Sequence, residues 1–228
     1  MSEADLDPNP DAAGFVLAGG RSSRMGEDKA LVNLAGQPLV VHALGILRGA
    51  GLAASLAGGS SALAALAPLV QDSQPGLGPL GGICAALAST AARRAVFLPI
   101  DLPLLPASLI AYLRDHARIT GSSVTVSSVN GFAQTFPAVL DRAALPLLEA
   151  ELEAGRGGCF SGFQAAAGRL GRQISVVPVE MLVQSGHAAH PEGLPAARWF
   201  LNVNSPEGLR LAHEYGGQAG SGKLGRVS

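Results

Sequence analysis

The sequence predicts an α/β fold, a mainly parallel sheet flanked by helices with one antiparallel hairpin beside it. Three observations predict it. Short apolar runs at residues 15–18, 52–57, 69–70 and 95–100 are bounded by Gly and Pro and alternate with helical stretches. That is the pattern of strands joined by crossover helices. Asn130-Gly131 separates two β-rich runs, and Asn-Gly is the strongest short hairpin signal. Apolar residues make up 48% of the 228 positions, enough for one sizeable core.

Composition excludes several classes. A net charge of −1 leaves no basic footprint for nucleic acid. Cys84 and Cys159 are too few for a disulfide framework and too far apart for a metal knuckle, so they read as small buried hydrophobes. No apolar run is long enough for a membrane span. The start carries Glu3, Asp5, Asp7 and Asp11 with prolines 8 and 10, unlike a signal peptide. The expected compartment is the reducing cytoplasm. We expect a disordered leader over 1–13, one folded domain over 14–213 and a flexible Gly-rich tail over 214–228.

In order, residues 14–18 read as the first strand and 31–38 as an extended piece with a turn. A helix is expected over 39–49, ended by Gly49 and Gly51. A weak Ala-rich strand, 52–57, precedes a Gly-Gly-Ser-Ser turn, a short helix to 66, and a third strand at 69–70 that leads to Asp72. Residues 74–82 read as a second Gly-rich loop ahead of a helix over 83–89. Such a helix start offers free N–H groups to an anion or a base edge. The run 95–100 is the most strand-like and ends at Asp101-Leu102-Pro103, before a helix over 107–118.

The hairpin pairs 122–129 with 132–140. Asp141 can cap a helix to 154; 155–162 reads as loop, 163–170 as helical and 174–178 as strand. Residues 180–197 read as an irregular lid or crossing segment. His187 and His190 there read as loop residues in preference to a metal site. Residues 199–204 read as a strand with Asn202 and Asn204 on one face, although Asn204 could simply begin the turn into the last helix, 206–215.

The most informative stretch is Leu17-Ala18-Gly19-Gly20-Arg21-Ser22-Ser23-Arg24-Met25-Gly26-Glu27-Asp28-Lys29. Glycines let backbone N–H groups turn toward an anion, since no Cβ blocks the approach. Arg21, Arg24 and Lys29 add positive charge, which suggests a triphosphate or pyrophosphate cradle. Five residues separate Gly20 from Gly26, and Ala30 follows Lys29. That spacing excludes the Walker-type loop, and no Gly-x-Gly-x-x-Gly fingerprint occurs here. An ordinary strand-to-helix loop with surface arginines would look similar, but Lys29 is one of only two lysines. A chain that otherwise uses Arg places a compact point charge here. Asp101, at the carboxyl end of a buried strand, fits a Mg²⁺ ligand; the alternative is a capping Asp ahead of the helix.

Taken together, these motifs resemble the molybdenum cofactor guanylyltransferase (MobA) family. Its loop runs Leu-Ala-Gly-Gly, then Ser-x-Arg-Met-Gly-x-Asp-Lys. Leu17–Gly20, Ser22, Arg24, Met25, Gly26, Asp28 and Lys29 match it in order. Gly78-Pro79-Leu80, Asp101-Leu102-Pro103 and Asn202-Val203-Asn204-Ser205-Pro206-Glu207 resemble its three later motifs.

The resemblance implies a three-layer Rossmann-like nucleotide-binding fold as the nucleotidyltransferase domain. It implies transfer of GMP from GTP to molybdopterin, with Mg²⁺, in the cytoplasm, and transient contact with other molybdenum cofactor proteins. It puts Leu17, Ala18, Gly19, Gly20, Lys29, Asp72 and Asp101 on GTP, and Gly78, Pro79 and Leu80 on a second nucleotide wall. Arg24 and Lys29 would face the leaving pyrophosphate, Asp101 would also bind Mg²⁺, and Asn202 and Asn204 would face the pterin. Three positions depart from the family: Ala57-Gly58-Gly59 replaces a frequent Asn, Gln71 a frequent acid, and Phe136-Pro137 a His-Pro. The rivals are a cytidylyl- or sugar-phosphate nucleotidyltransferase and a catalytically silent nucleotide-binding partner.

Overall fold

The computed structural model describes residues 11–19, 29–72 and 76–217. β1 (Ala12–Leu17) leads toward a 3₁₀ turn at Lys29–Leu31, a small hairpin of β2 (Asn33–Leu34) and β3 (Gln37–Pro38), and α1 (Leu39–Gly49). β4 (Ala54–Ala57), β5 (Leu69–Val70), α2 (Gly78–Ser89), β6 (Arg94–Pro99) and α3 (Ala107–Thr120) follow. Next come β7 (Val124–Val129), β8 (Phe132–Asp141), α4 (Leu145–Glu153), α5 (Cys159–Arg169) and β9 (Ser175–Pro178). The chain closes with α6 (Val179–Gln184), α7 (Ala196–Trp199) and α8 (Pro206–Gly217).

Seven strands form one sheet in the order β5-β4-β1-β6-β8-β7-β9. β5, β4, β1 and β6 are parallel neighbours. β8 runs antiparallel to β6 and β7, and β9 rejoins parallel to β7. This is the mixed, mainly parallel α/β sheet that the strand–helix alternation and the Asn-Gly signal predict. At the hairpin tip Asn130 (φ 51°) and Gly131 (φ 79°) both take positive φ, as a type I′ turn requires.

Strand alternation builds three layers, because successive side chains point to opposite faces. Val16, Val96 and Leu98 pack on α1 and α3, whereas Phe15, Leu17 and Phe97 pack on α2 and α5. Trp199 is buried in the first layer and donates from Nε1 to the Leu194 carbonyl at 2.7 Å. A third cluster joins Val32, Leu34 and Leu39 to Leu104, Val203 and Ala212. It ties the hairpin behind Lys29, the segment after Asp101 and the last helix into one support.

Several boundaries differ from those read in the sequence. β1 begins at Ala12 and α8 reaches Gly217, both beyond the expected domain limits of 14 and 213. α2 begins at Gly78, so Gly78, Pro79 and Leu80 are helical and not loop; proline in the first turn suits a helix start. α5 begins at Cys159, four residues early, after Gly158 in extended conformation. The glycine content there reads as loop, yet Gly162 lies inside α5, facing Leu80 and Leu148. The expected irregular segment over 180–197 contains α6 and the start of α7, each preceded by an extended proline. Residues 201–204 are not a strand; α7 occupies the turn before them. The leader's residues 1–10 and the tail's residues 218–228 lie outside the described residues.

Candidate active site

The sheet order reverses at β1. The chain proceeds from β1 to β4 and β5 on one side, then to β6 on the other. Loops diverge at such a point and leave a crevice at the carboxyl ends of the strands. Gly19 follows β1, Gly58 follows β4, Asp72 follows β5 and Asp101 follows β6.

Asp101 stands two residues beyond Pro99, in the turn over residues 100–104 that separates β6 from α3, and Pro106 is extended just ahead of α3. Its carbonyl accepts the Val203 N–H at 2.9 Å, which docks the Asn202–Asn204 segment beside it. Its Oδ2 accepts from Lys29 Nζ at 3.0 Å, with the two side chains only 18% (Lys29) and 21% (Asp101) exposed. The 3₁₀ turn that carries Lys29 is pinned by fully buried Ala30.

Asp72 occupies the other side of the crevice. Its Oδ1 is buried and has no hydrogen-bond partner among the described residues. Burial pushes its carboxyl above the usual carboxylate value, because desolvation disfavours the charged form. Glycines surround it. A Cβ on Gly82 would lie 3.2 Å from Asp72 Oδ1, and one on Gly58 would lie 3.8 Å from Oδ2 and 3.1 Å from Gly19 Cα. Gly58 has φ +71°, so both space and backbone conformation call for glycine there. The result is a narrow cradle of bare backbone in which Asp72 Oδ1 lacks a donor among the described residues.

This glycine cradle beside a Lys–Asp pair coincides with a family match: residues 14–170 match the MobA-like NTP transferase domain. The chain belongs to that family. A probable molybdenum cofactor guanylyltransferase of Haloferax mediterranei is 30% identical over 92% of this chain and 96% of its own length. A molybdenum cofactor guanylyltransferase of Xanthomonas euvesicatoria is 45% identical, over 44% of this chain; the match spans 52% of that relative's length. The fold is shared with molybdopterin-guanine dinucleotide biosynthesis protein A of Archaeoglobus fulgidus, at 21% identity and TM-score 0.72 over 90% of this chain and 99% of that one.

On this MobA-like frame, the residues singled out in the sequence divide into groups. Leu17, Ala18, Gly19, Lys29, Asp72, Gly78, Pro79 and Asp101 border the crevice or the elements that open onto it. Leu17, Ala18 and Leu80 are buried in the core layers, so they can offer only backbone. Gly20 and Arg24, with the rest of residues 20–28, lie outside the described residues. Asn202 and Asn204 are both exposed on either side of buried Val203, outside any strand.

Leu77, ahead of α2, has no side chain that can cap its first turn, and a helix start presents backbone N–H groups that an acceptor can meet. Among the described residues no group of three or more His, Cys, Asp or Glu could hold a metal by itself. A lone carboxylate still fits Mg²⁺, which takes one or two carboxylates and completes its shell with phosphate oxygens and water. His187 and His190 bond Ser185 Oγ and the Glu192 N–H in their own loop.

Burial pushes the Cys84 thiol up to about 12 and the Cys159 thiol to about 11, and both are free; neither suits a nucleophile. The sequence reading missed Glu151. It is a buried acid on α4 that accepts from Arg156 Nε and an Arg156 terminal nitrogen at 2.6 and 3.0 Å. The pair fastens the turn that leads to Gly157, whose Cβ would lie 3.7 Å from the Leu77 carbonyl ahead of α2. No spacing rule marks a five-residue helix-to-turn contact.

Proposed function

We propose that this chain transfers the guanylyl group of GTP to molybdopterin, forming molybdopterin guanine dinucleotide and pyrophosphate. The observation that carries the proposal is the pairing of Lys29 with Asp101 at the switch point, beside a glycine cradle, in a chain of the MobA-like family. The relative matched over 96% of its length bears that activity in its name.

The reaction joins two anions. The terminal phosphate oxygen of molybdopterin attacks the α-phosphorus of GTP, and the bond to the bridging oxygen breaks, with its electron pair leaving on pyrophosphate. A phosphate monoester is already anionic, so no strong base is required. The work left to the protein is positioning and charge neutralisation. Asp101 would hold Mg²⁺, which when bound neutralises phosphate oxygens. Lys29 and Arg24 supply positive charge to the β- and γ-phosphates as they depart. Gly19 and Gly58 let the phosphates approach bare backbone. Asp72 accepts N–H or O–H donors of the guanosine, and the uncapped start of α2 offers N–H groups to an acceptor such as guanine O6. Asn202 and Asn204, docked through Val203 on Asp101, face the acceptor side. The free thiols are in keeping with the cytoplasm.

Thermal protection by GTP and by CTP, each with Mg²⁺, tests the base preference. We expect GTP to raise Tm and CTP not to. Protection by CTP alone would reassign the chain to cytidylyl transfer.

A further inference from the structure

Lys29 and Asp101 already neutralise each other. Lys29 Nζ donates to Asp101 Oδ2 at 3.0 Å in a setting only about one-fifth exposed. Both groups are asked to do something else when substrate is present. Lys29 engages only Oδ2 of Asp101, but a divalent cation on the carboxylate's remaining lone pairs would stand close to the Lys29 ammonium, and like charges that close repel. An ammonium docked on a carboxylate is also drawn away from a phosphate.

We propose that the Lys29–Asp101 ion pair is an exchange device that makes the divalent cation and the nucleoside triphosphate load together. The inference rests on the functional reading above. With both ligands present Asp101 would hold the cation and Lys29 would turn to a phosphate, so each side chain gains a new partner as it loses the old one. A cation arriving alone would strand Lys29 beside a second positive charge. A metal-free triphosphate would draw Lys29 away and leave Asp101 as an unpaired, part-buried carboxylate facing anionic phosphates. Stranding one partner of a buried pair is the costly step, and exchange of both avoids it. The pair therefore discriminates against either ligand alone, a coupling of about 5–150-fold for typical linked sites. Placement supports a swing: the Lys29 turn is anchored through Ala30 and Val32 while its side chain spans to Asp101, 72 positions on in the chain.

The sequence supplies a clean probe, because Lys29 and Lys223 are the only lysines. Protein labelled with ¹⁵N and ¹³C in lysine gives two side-chain signals, assigned with Lys223→Arg. In nucleotide-free protein the Lys29 ammonium signal should differ from that of Asp101→Asn, marking the pair. Mg²⁺ together with a non-hydrolysable GTP analogue should move the wild-type signal to a third position. Mg²⁺ alone or the analogue alone, at the same concentrations, should move it little.

Calorimetry on the same samples reports whether the analogue binds. Binding with an unmoved Lys29 signal overturns the exchange and leaves the guanylyltransferase reading intact. A nucleotide-free signal identical in wild type and Asp101→Asn also overturns it. No binding of analogue with Mg²⁺ at all overturns both.

Discussion

Asp72 and Asp101 occupy corresponding places, each just past the carboxyl end of a parallel strand, and the fold treats them oppositely. Asp101 is met by the Lys29 ammonium at 3.0 Å. Asp72 is met by glycine and has a buried Oδ1 without a partner among the described residues. The strand end decides where a carboxylate stands; its neighbours decide what it can receive. Asp101 can exchange one cation for another. Asp72 already faces a desolvation penalty and gains most from neutral donors such as N–H and O–H groups.

The largest test of that contrast is Asp101→Ala. It should lower kcat at neutral pH by about 10²–10³-fold or more, about 2.7–4 kcal/mol in the transition state by analogy with oxyanion donors. Near-wild-type turnover would remove Asp101 from the metal role.

Asp72→Asn should act on binding, raising KM for GTP about tenfold for a lost charged hydrogen bond. Stability should move the other way. Burial holds the Asp72 carboxyl above its ordinary 3.8, so wild type loses stability as pH rises from that value through the raised one. The variant should therefore gain on wild type across that window and stay ahead at neutral pH. Melting curves at pH 3.5 and 7.5 check the sign.

Gly82→Ala places a methyl 3.2 Å from Asp72 Oδ1. It should raise KM for GTP several-fold and leave the Lys29–Asp101 pair untouched, a split visible in steady-state kinetics beside the lysine signals. The smallest effect belongs to Glu151→Gln, which asks whether a paired acid away from the crevice behaves as Asp101 does. The Arg156 hydrogen bond holds the Glu151 carboxyl below its ordinary 4.5, so the pair stabilises fully above that pH and fades as pH falls through the lowered value. Tm of the variant should fall slightly at pH 7 and converge on wild type in acid.

The contrast itself was only half legible in the sequence. Gly/Pro punctuation and periodicity located β5, α1 and the β7–β8 hairpin closely, because local turn chemistry and alternation set those elements. Asp101 was legible because a carboxylate ending the most apolar run has few other uses. What failed was glycine. At Gly82 glycine signals loop by propensity, yet the residue lies inside α2, where a Cβ would stand 3.2 Å from Asp72 Oδ1. Asn202 and Asn204 were found by alternation, but their anchor is one backbone hydrogen bond from Val203 to Asp101. No pattern encodes such a contact between positions a hundred residues apart. The missing partner of Asp72 and the closure of Gly58 on Gly19 are equally long-range.

Mass-spectrometric detection of molybdopterin guanine dinucleotide, beside a pyrophosphate assay, tests the proposed chemistry most directly. Wild-type protein with GTP, Mg²⁺ and molybdopterin should yield the dinucleotide and pyrophosphate in equal amounts, and Asp101→Ala should yield neither above background. Absence of the dinucleotide with wild type, or its undiminished formation by Asp101→Ala, would contradict that assignment.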